Sequence, residues 1–481
     1  MIILALGVVF YAELPLGTAS LFGEDEGCEL MKAVMCNKGF TLYTDIWNDQ
    51  PPVFTLLLCQ AFKAFGTSLI VGRLVAAFFG MLMIGTFFWL IEQRLGTWKA
   101  ILATFFLIAA PDVALLSASV MLEVPAFATA LLAACLLFQW AKKDRVWWLL
   151  VSGIVMGIAL QIKLTAVLIV PAMLVEIVIA CKAHAGKRWW KTAISSAIKW
   201  GSVAMTTVLI IIAIWAKGSI LSSWKSHFAE QSLPGLTSAR DFPFQFEFIE
   251  NHIECVLAAI AGVVLVICRR IWRETAFPII FLATVSCIHA FHRPWWSYYY
   301  LHFAIPLAWL SAFAVTEAIA LTGRLLATSH YRLALKKTWQ GILLCSLVSF
   351  VLVRSEKRFE SNIKALRSRT PVATNVLVNK MREYANQTRW VYADQDIYAF
   401  HACLSTPPEL TVVVFKRFWS GQITTANLVA TCRHYGTEQL VLNPAHITTE
   451  WNDFLVDYDA VYRDTNTILY VAKRITKQPN P

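Results

Sequence analysis

The sequence predicts an α-helical polytopic membrane protein of about eleven spans with a small C-terminal extracytoplasmic α/β domain. Three observations predict it. First, 57% of the 481 residues are hydrophobic and only 15% charged, with mean hydropathy +0.57; a soluble domain has about 45–50% and about 25%. Second, the apolar residues gather into runs of bilayer-crossing length. Third, lysine and arginine cluster in alternate loops. Composition alone excludes a soluble enzyme, a disordered chain and a small secreted scaffold.

The spans fall at roughly 1–21, 67–92, 98–116, 118–140, 146–162, 164–182, 197–217, 253–269, 275–292, 298–322 and 337–354. The first lacks a charged leader region and is too long for a cleaved signal peptide, and an upstream start codon stays open. One set of alternate loops holds Arg94 and Lys99; Lys142, Lys143 and Arg145; Lys182, Lys187, Arg188 and Lys191; Arg269, Arg270 and Arg273; and Arg324, Arg332, Lys336 and Lys337. The opposite set is nearly free of such clusters. The rule that basic loops stay cytoplasmic then puts the N-terminus inside and residues 355–481 outside. It also accounts for the formal charge of +11 without nucleic acid. A bacterial inner membrane, with the active site on its periplasmic side, is the expected location.

Two domains follow: 1–354 in the membrane and a soluble unit at 355–481. Three segments lie outside: loop 22–66, residues 218–252 and the tail. Within the first loop, residues 24–38 and 53–65 carry apolar side chains at helical spacing and read as helices lying along the membrane surface. In the tail, Trp390–Tyr392, Leu410–Phe415, Gln439–Leu442, Ala460–Arg463 and Thr467–Ala472 read as strands between helical stretches. Six cysteines sit in apolar segments as packing residues. Cys28 and Cys36 flank one polar loop, Cys403 and Cys432 lie in the tail, and spacing leaves both pairs open as disulfides.

Charge at membrane depth is costly, so each instance is a candidate for function. Glu24, Asp25 and Glu26 follow the first span. Tyr43, Asp45, Asp49 and Gln50 precede the turn Pro51–Pro52, which fixes an extended entry into the second loop helix. Asp112 ends the third span, Glu123 opens the fourth, and Lys163 lies between the fifth and sixth. His292, Arg293, Tyr299, Tyr300 and His302 surround the outer start of the tenth. Each has a plain structural reading. Glu123 suits a helix N-terminus, Asp45 a turn, the Trp/Tyr run an interfacial belt, and Lys163 a snorkelling anchor. Their gathering on one face of the membrane argues for a site.

The runs "DEG" at 25–27, "YTDIWNDQPPVFTLL" at 43–57, "LEVPAFAT" at 122–129, "GIALQIKLTAVLIVPA" at 157–172 and "WWSYYYLHFAIPLAWL" at 295–310 resemble the GT-C membrane glycosyltransferases. Among these they are most similar to the enzymes using polyprenyl-phosphate sugars: protein O-mannosyltransferases, aminoarabinose transferases of lipid A and rhizobial galacturonosyltransferases. The resemblance covers about residues 1–330. It implies Asp25 as general base toward the acceptor hydroxyl, with Glu26 beside it raising its pKa by repulsion. It further implies a polyprenyl-phosphate sugar donor, an extracytoplasmic acceptor (glycolipid, glycan or protein) and inversion at the sugar. The departing phosphate then needs positive charge, for which Lys163, Arg293 and His302 are candidates, with Tyr299 or Tyr300 as hydroxyl donors. Members often carry lysine before the PP turn; here it is Gln50. Asp49 and Glu123 are placed to hold a divalent ion, but the resemblance demands no metal or cofactor.

A transporter or lipid flippase is the alternative. It predicts polar residues at the midplane, broken spans in matching halves and an inverted repeat. The acids here lie at span ends and no repeat is visible.

Overall fold

The computed structural model describes residues 2–17, 25–184, 186–215, 243–326, 331–368 and 375–477. Glu24 and most of the outer segment 218–252 lie outside these. The membrane part comprises α1 (Ile2–Glu13), α2 (Asp25–Asn37), α3 (Val53–Phe65), α4 (Leu69–Leu95), α5 (Thr97–Ala109), α6 (Val113–Ser117), α7 (Glu123–Lys143), α8 (Val146–Leu160), α9 (Val170–His184), α10 (Trp189–Trp215), α11 (Glu247–Asn251), α12 (Ile253–Arg269), α13 (Trp272–Phe291), α14 (Tyr300–Leu326) and α15 (Tyr331–Arg367).

A helix occupies each of the predicted spans, but among the described residues six segments have both the length and the apolarity to cross a bilayer: Leu69–Leu95, Glu123–Lys143, Leu164–His184, Trp189–Trp215, Trp272–Phe291 and Ser297–Arg324. The run expected at 98–116 breaks into α5 and α6. Pro111 cannot extend a helix by hydrogen bonding, and Asp112 adopts left-handed backbone at φ 59°. At the other end, α15 continues through residues 354 and 355 to Arg367.

α7 runs through the middle of the bundle, against α4 and α8. Its Phe127 ring stacks on Phe281 of α13 at 6.1 Å. α10 covers α8 through a close approach: a Cβ on Gly157 would come within 2.7 Å of the Ala204 carbonyl oxygen, so only glycine lets the two backbones meet. The outward stripe of α10, with Ile194, Ile198, Leu209 and Ile214 exposed, repeats at helical spacing and needs lipid as its solvent.

Two ion pairs mark the ends of α4. Near its start Arg73 grips Glu26 of α2; near its end Arg94 pairs with Glu176 of α9. Twenty-one residues at 1.5 Å per residue separate them by about 30 Å, the hydrocarbon thickness. At the Arg94 end the basic-loop residues Lys99 and Arg269 also converge on Glu317. The loop between α1 and α4 and the tail gather at the Arg73 end.

The tail folds as a four-stranded sheet, order β1-β2-β4-β3, from β1 (Val391–Ala393), β2 (Gln439–Leu442), β3 (Tyr458–Arg463) and β4 (Ile468–Ala472). β1 and β2 are parallel, with Tyr392 opposite Leu440; β2–β4 and β4–β3 are antiparallel. The expected strand at Leu410–Phe415 does not form. After a 3₁₀ turn at Pro408–Leu410 the chain runs free to a short helix, Phe415–Trp419. The Glu409 and Val412 carbonyls accept hydrogen bonds from Arg417 at 2.8 and 2.6 Å instead of from a strand.

α2 does not lie on the lipid surface. It is enclosed between α3 and the tail helix Asp396–Ala402. A Cβ on Gly27 would meet the Ile397 backbone nitrogen at 2.6 Å, which fixes that contact as glycine's. One continuous buried cluster joins Leu30 and Met31 of α2 to Val391, Ile397 and Phe400 of the tail. All eleven cysteines are free thiols, so neither Cys28/Cys36 nor Cys403/Cys432 is a disulfide. The Cys28 thiol donates to Asp396 Oδ2 at 3.2 Å; burial and the neighbouring Asp396 carboxylate hold that thiol protonated, well above its ordinary pKa.

Candidate active site

A cavity of ≈ 380 Å³ opens where α2, the Asp49–Gln50 turn, the start of α7, the α8–α9 junction, the aromatic run before α14 and the tail meet. Asp25, Asp49, Gln50, Glu123, Lys163, Tyr298 and Lys416 all line it. Six stretches far apart in sequence therefore converge on one polar hollow.

Each side chain is delivered by local chemistry. Asp25 is the first residue of α2 and Glu123 the first of α7, where a carboxylate is favoured by the helix dipole. Pro125 is compatible with the first turn of α7. Lys163 ends the break between α8 and the 3₁₀ turn Leu164–Ile169. Gln161, just before it, accepts from the Val53 amide at 3.1 Å and so ties that break to the PP turn. The Lys163 ammonium is paired with Glu123 and stands 4.5 Å from the Tyr298 ring centroid, a cation–π contact that confines it further. Glu123 is fully buried, and among the described residues its Oε2 has no hydrogen-bond partner.

Asp49 Oδ2 accepts from Gln50 Nε2 and from Lys416 Nζ, each at 3.2 Å. Behind the turn Lys32 donates to Glu29 at 2.6 Å and to Asn48 at 3.0 Å, and Thr55 donates to Glu29 at 3.0 Å. This buried network holds the PP turn on α2. Burial raises the Asp25 carboxyl from 3.8 to about 6; Lys163 and Lys416 oppose that rise, and Glu123 and Asp49 add to it. A carboxyl poised there is ionised near neutral pH yet basic enough to take a proton.

The structure separates the expected site residues into two groups. Asp25, Asp49, Gln50, Glu123 and Lys163 share the cavity. Glu26 does not face it: fully buried, it takes Arg73 Nε and Nη2 at 2.9 Å each and the Val120 amide at 2.8 Å. The raised pKa of Asp25 therefore comes chiefly from burial and not from Glu26. Arg293 is not among the lining residues; its guanidinium donates to the adjacent His292 carbonyl at 2.8 Å. Tyr300 turns to His252 and stacks on Phe248. Tyr299 lies behind Tyr298, stacked on His302, whose Nδ1 is 3.0 Å from His289 Nε2. Tyr43 donates to the Gln50 carbonyl at 2.8 Å, and Asp45 caps its own turn at the Thr41 amide at 2.7 Å; both shape the loop. Asp49 and Glu123, the two acids the sequence left open as a divalent-ion site without requiring one, each pair with a lysine.

Lys416 and Tyr298 went unrecognised in the sequence. Lys416 sits in a tail stretch with no motif. Tyr298 stood in the aromatic run, but its two neighbours offered the same chemistry.

A family model described as dolichyl-phosphate-mannose-protein mannosyltransferase matches residues 49–216, about a third of the chain. Solved structures match over the whole length. ArnT from Cupriavidus metallidurans bound to undecaprenyl phosphate is 14% identical, with TM-score 0.62, covering 100% of this chain and 99% of that one. Its apo state gives 0.66 at 13% identity, over 100% and 98%. The archaeal oligosaccharyltransferase AglB from Archaeoglobus fulgidus, in complex with an inhibitory peptide and a dolichol-phosphate, gives 0.54 at 12% identity, over 99% and 74%. Among curated proteins no sequence matches. The chain thus has the GT-C fold of these membrane glycosyltransferases over its length, and from the Asp49 turn to the end of α10 it is similar to the mannosyltransferase family.

Proposed function

We propose that this enzyme moves one sugar from a polyprenyl-phosphate carrier to a hydroxyl of an acceptor on the outer face of the membrane, with Asp25 as general base. The observation that carries the reading is the meeting of a carboxyl raised to about 6 with Lys163 and Lys416 in one cavity at the membrane boundary. The acceptor oxygen attacks the anomeric carbon and its proton passes to Asp25. The bond from that carbon to the phosphate oxygen breaks, and the polyprenyl phosphate leaves with the electron pair. One displacement inverts the anomeric centre. Phosphate is a good leaving group, so no second carboxylic acid is required, unlike in a glycosidase. Positive charge is required, because the departing oxygen gains negative charge. Lys163 and Lys416 would meet it from different parts of the chain, each exchanging part of its contact with Glu123 or Asp49 for the phosphate. The ArnT and AglB structures hold undecaprenyl phosphate and a dolichol-phosphate, which supports a lipid-phosphate donor here. The basic loops at the Arg94 end support the cavity's facing outward.

The test is purified protein incubated with a panel of radiolabelled polyprenyl-phosphate sugars and envelope extracts. Label should leave the lipid fraction with wild type, and Asp25→Asn should slow that by about 10²–10⁴. Full turnover in Asp25→Asn would refute the assignment.

A further inference from the structure

A second cavity, of ≈ 850 Å³, lies beside the first, and Ser297 lines both. Its volume falls within the about 300–1,000 Å³ of small-molecule sites. Its lining is unusual for such a site. Ten of the thirteen residues are polar, and only Pro111, Leu115 and Phe248 are apolar. One wall is α15, which presents Arg354, Lys357 and Arg358 at helical spacing. Opposite stand Asp112, from the turn before α6, and Glu247 and Asn251 from α11. Buried Glu254 accepts an ion pair from Arg358 at 2.7 Å and fixes that guanidinium in place.

With Arg358 paired to Glu254, the two remaining cations, Arg354 and Lys357, face two acids, Asp112 and Glu247, so the lining has no net charge to select a strong anion. It offers planar carboxylate, amide and guanidinium groups of both hydrogen-bonding senses. Saccharide hydroxyls each donate and accept, and such groups bind neighbouring hydroxyls in pairs. A peptide would instead want apolar pockets and a free strand edge, and the four described strands lie in the tail sheet, away from this lining. We infer that this second cavity binds a saccharide, and that the acceptor is therefore a glycan, which reaches past Ser297 to present its hydroxyl to Asp25. This rests on the transferase reading above and names its acceptor class.

Saturation-transfer NMR on the full chain in nanodiscs tests it, with trisaccharides of glucose, galactose, mannose and N-acetylglucosamine and a serine/threonine-rich peptide as probes. Undecaprenyl phosphate binding is measured on the same samples. At least one trisaccharide should bind. Its affinity should fall by at least about tenfold in the Glu247→Ala/Arg354→Ala double variant, and likewise in Ser361→Trp, which fills the cavity from an exposed helix position. Undecaprenyl phosphate binding should persist in both. Two results would overturn the inference: protein that binds undecaprenyl phosphate but no trisaccharide, or peptide binding that Ser361→Trp abolishes. Trisaccharide binding without undecaprenyl phosphate binding would leave the saccharide site standing and sink the donor assignment instead.

Discussion

Lys416 places its ammonium 3.2 Å from Asp49, 367 positions away in sequence. The tail thus contributes a cation, beside Val412, Val414 and Phe415, to a site whose other charged groups come from the membrane part. Gln50 donates to the same Asp49 oxygen, so the position before the PP turn supplies a dipole and the tail supplies the charge. Lys416→Met should lower kcat/KM for the donor by at least about tenfold, or about 1.4 kcal/mol. Lys416→Arg should keep most of it. Donor kinetics unchanged in the methionine variant would reduce the tail to a cover.

The pH profile should report Asp25. Only the ionised carboxylate can accept the acceptor's proton, and burial places its titration at about 6. Below that, each unit of pH should cost about tenfold in kcat/KM; above it, the profile should level off. The acid limb read from kcat/KM over pH 4.5–8 checks this. A limb centred near 4 would mean that the base is a solvated carboxylate elsewhere.

Glu26 and Arg73 should matter to folding and not to chemistry. Both are buried, and they hold each other through two bonds of 2.9 Å. Arg73→Met strands a carboxylate in the bundle, at about 3–5 kcal/mol. Thermal unfolding in detergent should drop sharply, and Glu26→Gln added to it should recover part of the loss. The folded fraction of Glu26→Gln alone should turn over near the wild-type rate, in contrast to Asp25→Asn.

How far the sequence reveals this site depends on which residues are read. Asp25, Asp49, Glu123 and Lys163 were legible because charge at membrane depth is rare and their apolar surroundings make them stand out. The two loop helices were legible from periodicity. Periodicity cannot show what covers a helix, however, so α2 read as lipid-facing when the tail encloses it. Glu26 looked as functional as Asp25 because adjacent helix positions point about 100° apart, and no local pattern says which one faces the cavity. Lys416 was invisible because its role depends on a docking between segments hundreds of residues apart. Leu410–Phe415 has strand composition but no partner edge, and partners are tertiary facts.

Lys163 and Arg293 read alike in the sequence as outer-face cations for the donor phosphate, and the structure tells them apart. Lys163 lines the cavity, paired with Glu123 and set against the Tyr298 ring. Arg293 is bonded to its neighbour's carbonyl and is absent from the lining. A donor phosphate gains charge as it departs, so a cation that touches it strengthens its contact in the transition state. A cation on the rim does not. Lys163→Met should therefore lower kcat/KM for the donor by at least about tenfold, and it should also leave Glu123 buried without its partner. Adding Glu123→Gln removes that second effect, so stability should recover while the kinetic loss remains. Arg293→Met should leave donor kinetics within about twofold of wild type. Steady-state kinetics on matched amounts of folded protein separate the cases. A large loss in Arg293→Met, with Lys163→Met near normal, would move the phosphate out of this cavity to the outer start of α14.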